Sequence, residues 1–104
     1  MEEIAFTMQL KPGNEAEYQR RHDEIWPELS RALTDAGLSD YSIYLDRRTG
    51  VLFAVQRRIN NHTADALPDL PIVQRWWAYM ADLMDTNPDN SPVVTTLERV
   101  FHHD

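Results

Sequence analysis

The stretch Glu17-Tyr18-Gln19-Arg20-Arg21-His22-Asp23-Glu24-Ile25-Trp26-Pro27-Glu28-Leu29 is the part of the chain around which the rest is arranged. Its apolar residues recur at the spacing of an amphipathic helix, and His22 falls on the same stripe. Because Tyr18 and His22 are four residues apart, a helix would place the phenol and the imidazole together on one face. This pair suits proton transfer, although two core residues with ordinary hydrogen-bond partners would give the same pattern.

Pro27 interrupts this helix, which the pattern otherwise predicts from about residue 15 to residue 36. A proline in a helix interior costs about 3 kcal/mol. The helix therefore either bends just after Trp26 or restarts there with Pro27 in its first turn. Asn14, followed three residues later by Glu17, has the pattern of a capping box at the helix start.

The remaining elements complete a simple order of strands and helices. A strand precedes the helix, two strands joined by a short glycine-containing turn follow it, and a second helix and a last strand end the chain. This order is that of an α+β protein with a ferredoxin-like βαββαβ fold, in which an antiparallel sheet carries helices on one face. The four strands are predicted at 3–11, 40–47, 51–59 and 93–101, and the second helix at about 72–84.

Apolar residues on both sides of the predicted strands indicate that both faces of the sheet are covered. A chain of 104 residues has the size of one domain with one core, so we expect a single domain over residues 1–104. A second copy of the chain is the obvious cover for the second face. We therefore expect a homodimer packed sheet to sheet.

The charge balance excludes several classes of partner. The chain carries 10 Lys plus Arg against 17 Asp plus Glu, for a net charge of -7. Such a surface repels nucleic-acid phosphates and anionic lipid headgroups, so we expect neither nucleic acid nor membrane as a partner. The start, Met1-Glu2-Glu3-Ile4, lacks the features of a signal peptide, and we expect a cytoplasmic protein.

No motif indicates a metal or a cofactor. There is no cysteine, and His22, His62, His102 and His103 fit no metal-ligand spacing. Only three glycines occur, too far apart for a phosphate-binding loop, and no serine nucleophile motif is present. We therefore expect neither a metal nor a cofactor.

His22 and a set of aromatic residues remain as candidates for chemistry. Tyr41 begins the second predicted strand, and Trp76 and Trp77 lie on the second helix. Adjacent helical residues point about 100° apart, so the two tryptophans cannot do the same work. They either fill the core or form a platform for a neutral, partly apolar ligand such as a sugar.

Four segments of the chain together resemble the L-rhamnose mutarotase family: 17–29, 40–46, 74–80 and 87–92. They occur in the family's order and the resemblance spans nearly the whole chain. It implies a dimeric α+β barrel that interconverts the α and β anomers of L-rhamnose without a cofactor. By the same resemblance, His22 is the catalytic acid and base, and the sugar is bound by Tyr18, Tyr41, Trp76 and Trp77.

Anomer exchange is an acid–base reaction, which agrees with a histidine near neutral pH. Tyr18 or Tyr41 could assist by polarising a sugar oxygen. Asp89 and Asn90, in a proline-bounded loop, either hold sugar hydroxyls or simply form a turn. Two other functions fit the same architecture: a cofactor-free monooxygenase of the dimeric α+β barrel type, and a sugar-binding module without catalysis.

Overall fold

An antiparallel sheet of four strands, with helices packed against one face, forms the molecule in a computed structural model that describes residues 1–104. The strand order is β2-β3-β1-β4, so the predicted α+β, ferredoxin-like fold is confirmed. The elements are β1 (Glu2–Gln9), α1 (Glu15–Asp23), α2 (Pro27–Asp35), β2 (Leu38–Asp46), β3 (Val51–Arg58), a 3-10 helix (Ala64–Asp69), α3 (Pro71–Met80) and β4 (Thr95–Thr96).

The core lies between the helices and one face of the sheet. Met8 of β1 pairs with Leu52 of β3, and both side chains are buried against the helices. Alternation along β3 then places Ala54 and Gln56 on the same side as Leu52, and all three are at most 3 % exposed. The opposite face is open: Phe53 is 40 % exposed and Tyr44, its partner across the strands, is 64 % exposed.

The helix restarts at Pro27 instead of bending there, which confirms the second of the two predicted alternatives. Helix α1 ends at Asp23, and Pro27 occupies the first turn of α2. Trp26 before it is extended, with φ −63° and ψ 129°, which is the conformation that a following proline favours. The break leaves His22 in the last turn of α1, shortly before α2 begins at Pro27.

The predicted capping box is wrong. The Asn14 side chain makes no capping hydrogen bond and donates instead to the carbonyls of Lys11 and Pro12. The Glu17 carboxylate accepts hydrogen bonds from Arg20 and Arg21. Two guanidinium groups within reach therefore outcompete the single backbone N–H that a capping box would offer.

Strand β2 contains a bulge that the sequence pattern did not reveal. Leu38 pairs with Arg58 and Ser42 with Val55, so Asp40 and Tyr41 together lie opposite the single residue Gln56. Asp40 takes a φ of 48°, a left-handed conformation that aspartate tolerates better than most residues. The extra residue shifts the alternation by one position.

The last strand is much shorter than the predicted 93–101. Only Thr95–Thr96 pair with β1, opposite Thr7 and Phe6, and the chain beyond has no regular structure. Val100 and Phe101 are 91 % and 79 % exposed. A strand-like pattern is not sufficient for a strand, because the backbone also needs a neighbouring strand to pair with. None of the helices combines the length and the apolar character that crossing a bilayer requires.

Candidate active site

Two aromatic rings, one from α1 and one from α3, contact the imidazole of His22. The Tyr18 ring stacks on it with a centroid distance of 4.4 Å, as the four-residue spacing on α1 predicts. The Trp76 ring of α3 meets it edge to face at 5.4 Å. The structure thus brings together three of the five residues predicted for the site, and it places them at the junction of α1 and α3.

The two nitrogens of the His22 ring are in different situations. Nδ1 lies 3.1 Å from the carbonyl oxygen of Tyr18. A carbonyl can only accept, so Nδ1 carries the proton and Nε2 presents its lone pair when the ring is neutral. Burial lowers the pKa of His22, an effect that the Tyr18 carbonyl and Asp23 only partly oppose. The ring is therefore neutral near pH 7 and able to accept a proton at Nε2.

Several polar atoms of this cluster face an opening. The Tyr18 hydroxyl, Nε2 of His22 and Nε1 of Trp76 make no hydrogen bond within the chain, yet none of these side chains is exposed. Since no fully buried side-chain nitrogen or oxygen lacks a partner, these three atoms must reach a space open to solvent. Two surface cavities of about 240 Å³ lie elsewhere and share no residue with this cluster. Neither cavity therefore includes the polar groups of Tyr18, His22 and Trp76.

Tyr41 reaches the same side of the sheet because of the bulge in β2. Without the extra residue, strand alternation would put Tyr41 on the open face whenever Leu38 points into the core. Tyr41 is 39 % exposed, and partial removal of its phenol from water raises its pKa to about 12. Burial also raises the pKa of Tyr18, and a negative charge on Tyr41 would raise it further, so the two phenols lie within electrostatic range.

Trp77 has a different environment from Trp76, as their helical angle predicts. Trp76 is 8 % exposed and contacts His22, whereas Trp77 is partly buried against the core and makes no ring contact with His22. The structure does not bring Trp77 into the aromatic cluster.

Two aromatic residues that the sequence reasoning missed complete the cluster. Trp26 meets Trp76 edge to face at 5.1 Å, and Tyr79 packs against both rings at 5.3 Å and 5.7 Å. The spacing of three between Trp76 and Tyr79 on one helix was the available signal. The Trp26 contact depends on how the start of α2 packs against α3 and has no sequence signal.

Gln56 is the other residue that the sequence reasoning missed. It is the only polar side chain among the buried residues of the chain, with 3 % exposure. Its amide oxygen accepts a hydrogen bond of 2.8 Å from Nε of Arg58, and its amide lies near the Tyr41 hydroxyl, whose pKa it lowers. The signal was present, because residue 56 falls on the face of β3 that carries Leu52 and Ala54.

Asp89 and Asn90 lie in an exposed loop and have local structural roles. The Asp89 carboxylate accepts hydrogen bonds from the backbone and the hydroxyl of Ser91, which lowers its pKa. Asn90 has a φ of 71°, a turn conformation that asparagine tolerates. Both residues therefore fit the turn interpretation. The chain contains no group of three or more His, Cys, Asp or Glu side chains placed to hold a metal ion.

Comparison with known proteins gives a consistent result over almost the whole chain. A sequence model described as L-rhamnose mutarotase matches residues 3–103. An L-rhamnose mutarotase of Acidiphilium cryptum is 63 % identical over 102 residues, which are 98 % of this chain and 98 % of that protein. One of Jannaschia sp. is 61 % identical over 102 residues, again 98 % of each chain.

Solved structures agree with the sequence comparison. The crystal structure of an L-rhamnose mutarotase from Formosa agariphila has a TM-score of 0.93 and 45 % identity, with complete coverage of both chains. Rv0793 from Mycobacterium tuberculosis has a TM-score of 0.60 at 17 % identity, covering 98 % of this chain and 97 % of its own, and shares the fold alone. The family match over residues 3–103 and the identity to full-length relatives lead to one conclusion: the chain belongs to the L-rhamnose mutarotase family.

Proposed function

We propose that this protein interconverts the α and β anomers of L-rhamnose, with His22 as the group that moves the protons. Family membership supports the reaction and the sugar, since the relatives carry that name. The observation that supports the role of His22 is the different hydrogen bonding of its two ring nitrogens. Nδ1 is held by the Tyr18 carbonyl at 3.1 Å, while Nε2 is unpartnered and faces an opening.

The reaction needs two proton transfers and no other reagent. Nε2 of His22 takes the proton of the anomeric hydroxyl, the bond between the anomeric carbon and the ring oxygen breaks, and the protonated His22 gives a proton to the ring oxygen. The open-chain aldehyde rotates about its first carbon–carbon bond. The former ring hydroxyl then adds to the other face of the carbonyl, and the proton transfers run in reverse. General acid–base catalysis of this kind contributes typically about 10²- to 10⁴-fold.

The surrounding residues are proposed to bind and orient the sugar. Burial raises the pKa of Tyr18 and Tyr41, so both phenols keep their protons at neutral pH and are suited to donate to sugar oxygens. The Trp76 ring offers an apolar surface beside the imidazole, which suits the methyl group of a deoxy sugar. Trp77 is proposed as a further binding residue on the resemblance alone.

We also propose that the protein acts as a homodimer. The open face of the sheet carries Phe53 and Tyr44, and the final segment carries the exposed Val100 and Phe101. This much exposed apolar surface suits a sheet-to-sheet interface with a second copy. The net charge of -7 supports the absence of a nucleic-acid partner. The cytoplasmic location stays a prediction.

The decisive experiment is NMR exchange between the anomeric proton signals of equilibrated L-rhamnose. The wild-type protein is expected to accelerate exchange, and His22→Ala is expected to lose roughly 10²- to 10⁴-fold of that acceleration, because it removes the proton acceptor. Circular dichroism of both proteins controls for folding. A folded wild-type protein without any acceleration would refute the proposed reaction. A fully active His22→Ala variant would refute the role of His22.

A further inference from the structure

Gln56 occupies an unusual place for a polar residue. It lies on the helix-facing side of β3, where its neighbours on that face, Leu52 and Ala54, are core residues with 1 % and 0 % exposure. Burying an amide without compensating hydrogen bonds is costly, so an apolar side chain would serve the core better here. Packing alone therefore does not explain an amide at this position.

Arg58 fixes which end of the Gln56 amide points where. Nε of Arg58 donates to Oε1 of Gln56 at 2.8 Å. A guanidinium group has only donors, so the amide oxygen must face Arg58 and the NH₂ group must face the other way. That NH₂ group has no hydrogen-bond partner within the chain and is not fully buried, so it is free to donate.

Tyr41 is the neighbour of Gln56 across the paired strands β2 and β3. The bulge places Asp40 and Tyr41 opposite Gln56 and directs Tyr41 toward the helix side of the sheet. Both Gln56 and the charge of Arg58 favour negative charge on the Tyr41 oxygen, because each lowers the pKa of this phenol against the effect of burial. Tyr41 and the NH₂ end of Gln56 therefore lie on neighbouring strands, on the same side of the sheet.

We propose that Gln56, held by Arg58, fixes the direction of the Tyr41 hydroxyl proton so that Tyr41 donates to the sugar. An amide N–H that points at the phenolic oxygen occupies one of its lone pairs, and the O–H must then point elsewhere, toward the open site. Gln56 is thus a positioning residue that acts through Tyr41. The inference rests on the proposed function, in which Tyr41 binds the sugar.

The test compares Gln56→Glu with Gln56→Leu. Glutamate has the same shape and keeps the contact with Arg58, but it has no N–H to donate and accepts the Tyr41 proton, which turns that proton away from the sugar. We expect Gln56→Glu to lower kcat/KM for anomer exchange about tenfold, the value of roughly one hydrogen bond. Leucine leaves the Tyr41 hydroxyl free to rotate, so its loss is expected to be smaller. A purely structural role gives the opposite order, since leucine also removes the partner of Arg58.

Tyr41→Phe provides the second measurement. Once the hydroxyl is gone there is no proton to direct, so neither Gln56→Glu nor Gln56→Leu should lower activity further in the Tyr41→Phe background. Gln19→Glu adds the same charge at an exposed position of α1 and should match wild type. Circular dichroism checks folding, and if Gln56→Glu does not fold, Gln56→Leu with and without Tyr41→Phe tests the same coupling.

Three results would overturn the inference while leaving the proposed function intact. They are wild-type activity in Gln56→Glu, a larger loss in Gln56→Leu than in Gln56→Glu, and equal losses with and without the Tyr41 hydroxyl. Failure of the wild-type protein to accelerate anomer exchange is a different outcome. It would overturn the proposed function itself, and the role of Gln56 with it.

Discussion

The two faces of the sheet have similar apolar sequences and opposite surroundings. Leu52 and Phe53 are neighbours on β3, yet Leu52 is 1 % exposed against the helices and Phe53 is 40 % exposed on the open side. Alternation along a strand guarantees that one of two neighbours faces each side. The helices of one chain cover only one side. Apolar residues on both sides of the strands thus indicate that both faces of the sheet are packed against something. The helices of this chain pack against only one of the two faces.

Truncation on the covered face should have the largest effect. Leu52→Ala is expected to lower the free energy of unfolding by about 3 kcal/mol, since it removes a fully buried side chain and leaves a cavity. Urea denaturation followed by circular dichroism measures this loss, which should be the same at every protein concentration. Phe53→Ala is the matched control on the open face, where any loss should depend on protein concentration. Equal, concentration-independent losses at both positions would remove the distinction between the faces.

The second-largest effect is expected from a charge placed on the open face of the sheet. Phe53→Lys is expected to weaken a sheet-to-sheet dimer by about 2–3 kcal/mol, because it would bury an unpaired charge. Sedimentation velocity of wild type and variant at micromolar concentration measures the shift toward monomer. Gln19→Lys makes the same change of charge at an exposed position of α1 and should leave the association unchanged. If wild type sediments as a monomer, or Phe53→Lys as a dimer, the open face is not the interface.

The sequence was sufficient for most of the fold, because each element carries a local signal. Alternation predicts the strands, the helical stripe predicts the helices, and Pro27 predicts a break that the structure places at the start of α2. The bulge at Asp40 escaped notice, since a strand with one extra residue still alternates on either side of it. The signal was the odd separation of Leu38 and Ile43, which both point to the helix side. The last strand was overestimated because its pairing partner is not encoded in its own residues.

The site divides in the same way into local and long-range parts. The stacking of Tyr18 on His22 follows from a spacing of four on one helix, and the structure has it. The contact between His22 and Trp76 joins two helices far apart in sequence, so spacing could not predict it. Gln56 could be recognised as the one buried polar residue of β3, but only once the core side of the strand is known. Long-range packing is the part that the sequence pattern leaves out.

One largely buried cation links α1 to the end of α3 on the covered face. Arg21 donates to Glu17 on its own helix, to the Tyr79 carbonyl in α3 and to Asp82 just after α3. Its side chain is 11 % exposed. Arg21→Lys should lower the free energy of unfolding by about 1–2 kcal/mol, because an ammonium group cannot make all these bonds. Arg20→Lys is the control, with a 54 % exposed side chain that also binds Glu17, and should cost under about 0.5 kcal/mol. Thermal or urea unfolding measures the free energy of unfolding of both variants. Equal losses would mean that burial does not strengthen the hydrogen bonds of Arg21.

The smallest expected effect is the pH dependence that His22 adds to the covered face. Burial lowers the pKa of His22 in the folded chain, while in the unfolded chain it takes its ordinary value of about 6.5. Between these two values the unfolded chain binds more protons, so stability from this group is complete above about pH 6.5 and falls as the pH drops through the folded value. The difference in the free energy of unfolding between wild type and His22→Gln should therefore shrink from pH 7.5 to pH 5.5, while contributions from carboxylates cancel. A difference that grows toward low pH would mean that the folded chain prefers the protonated ring. Nε2 could not then be the proton acceptor near neutral pH, and the covered face would have to supply a counter-charge to His22 instead of only burying it.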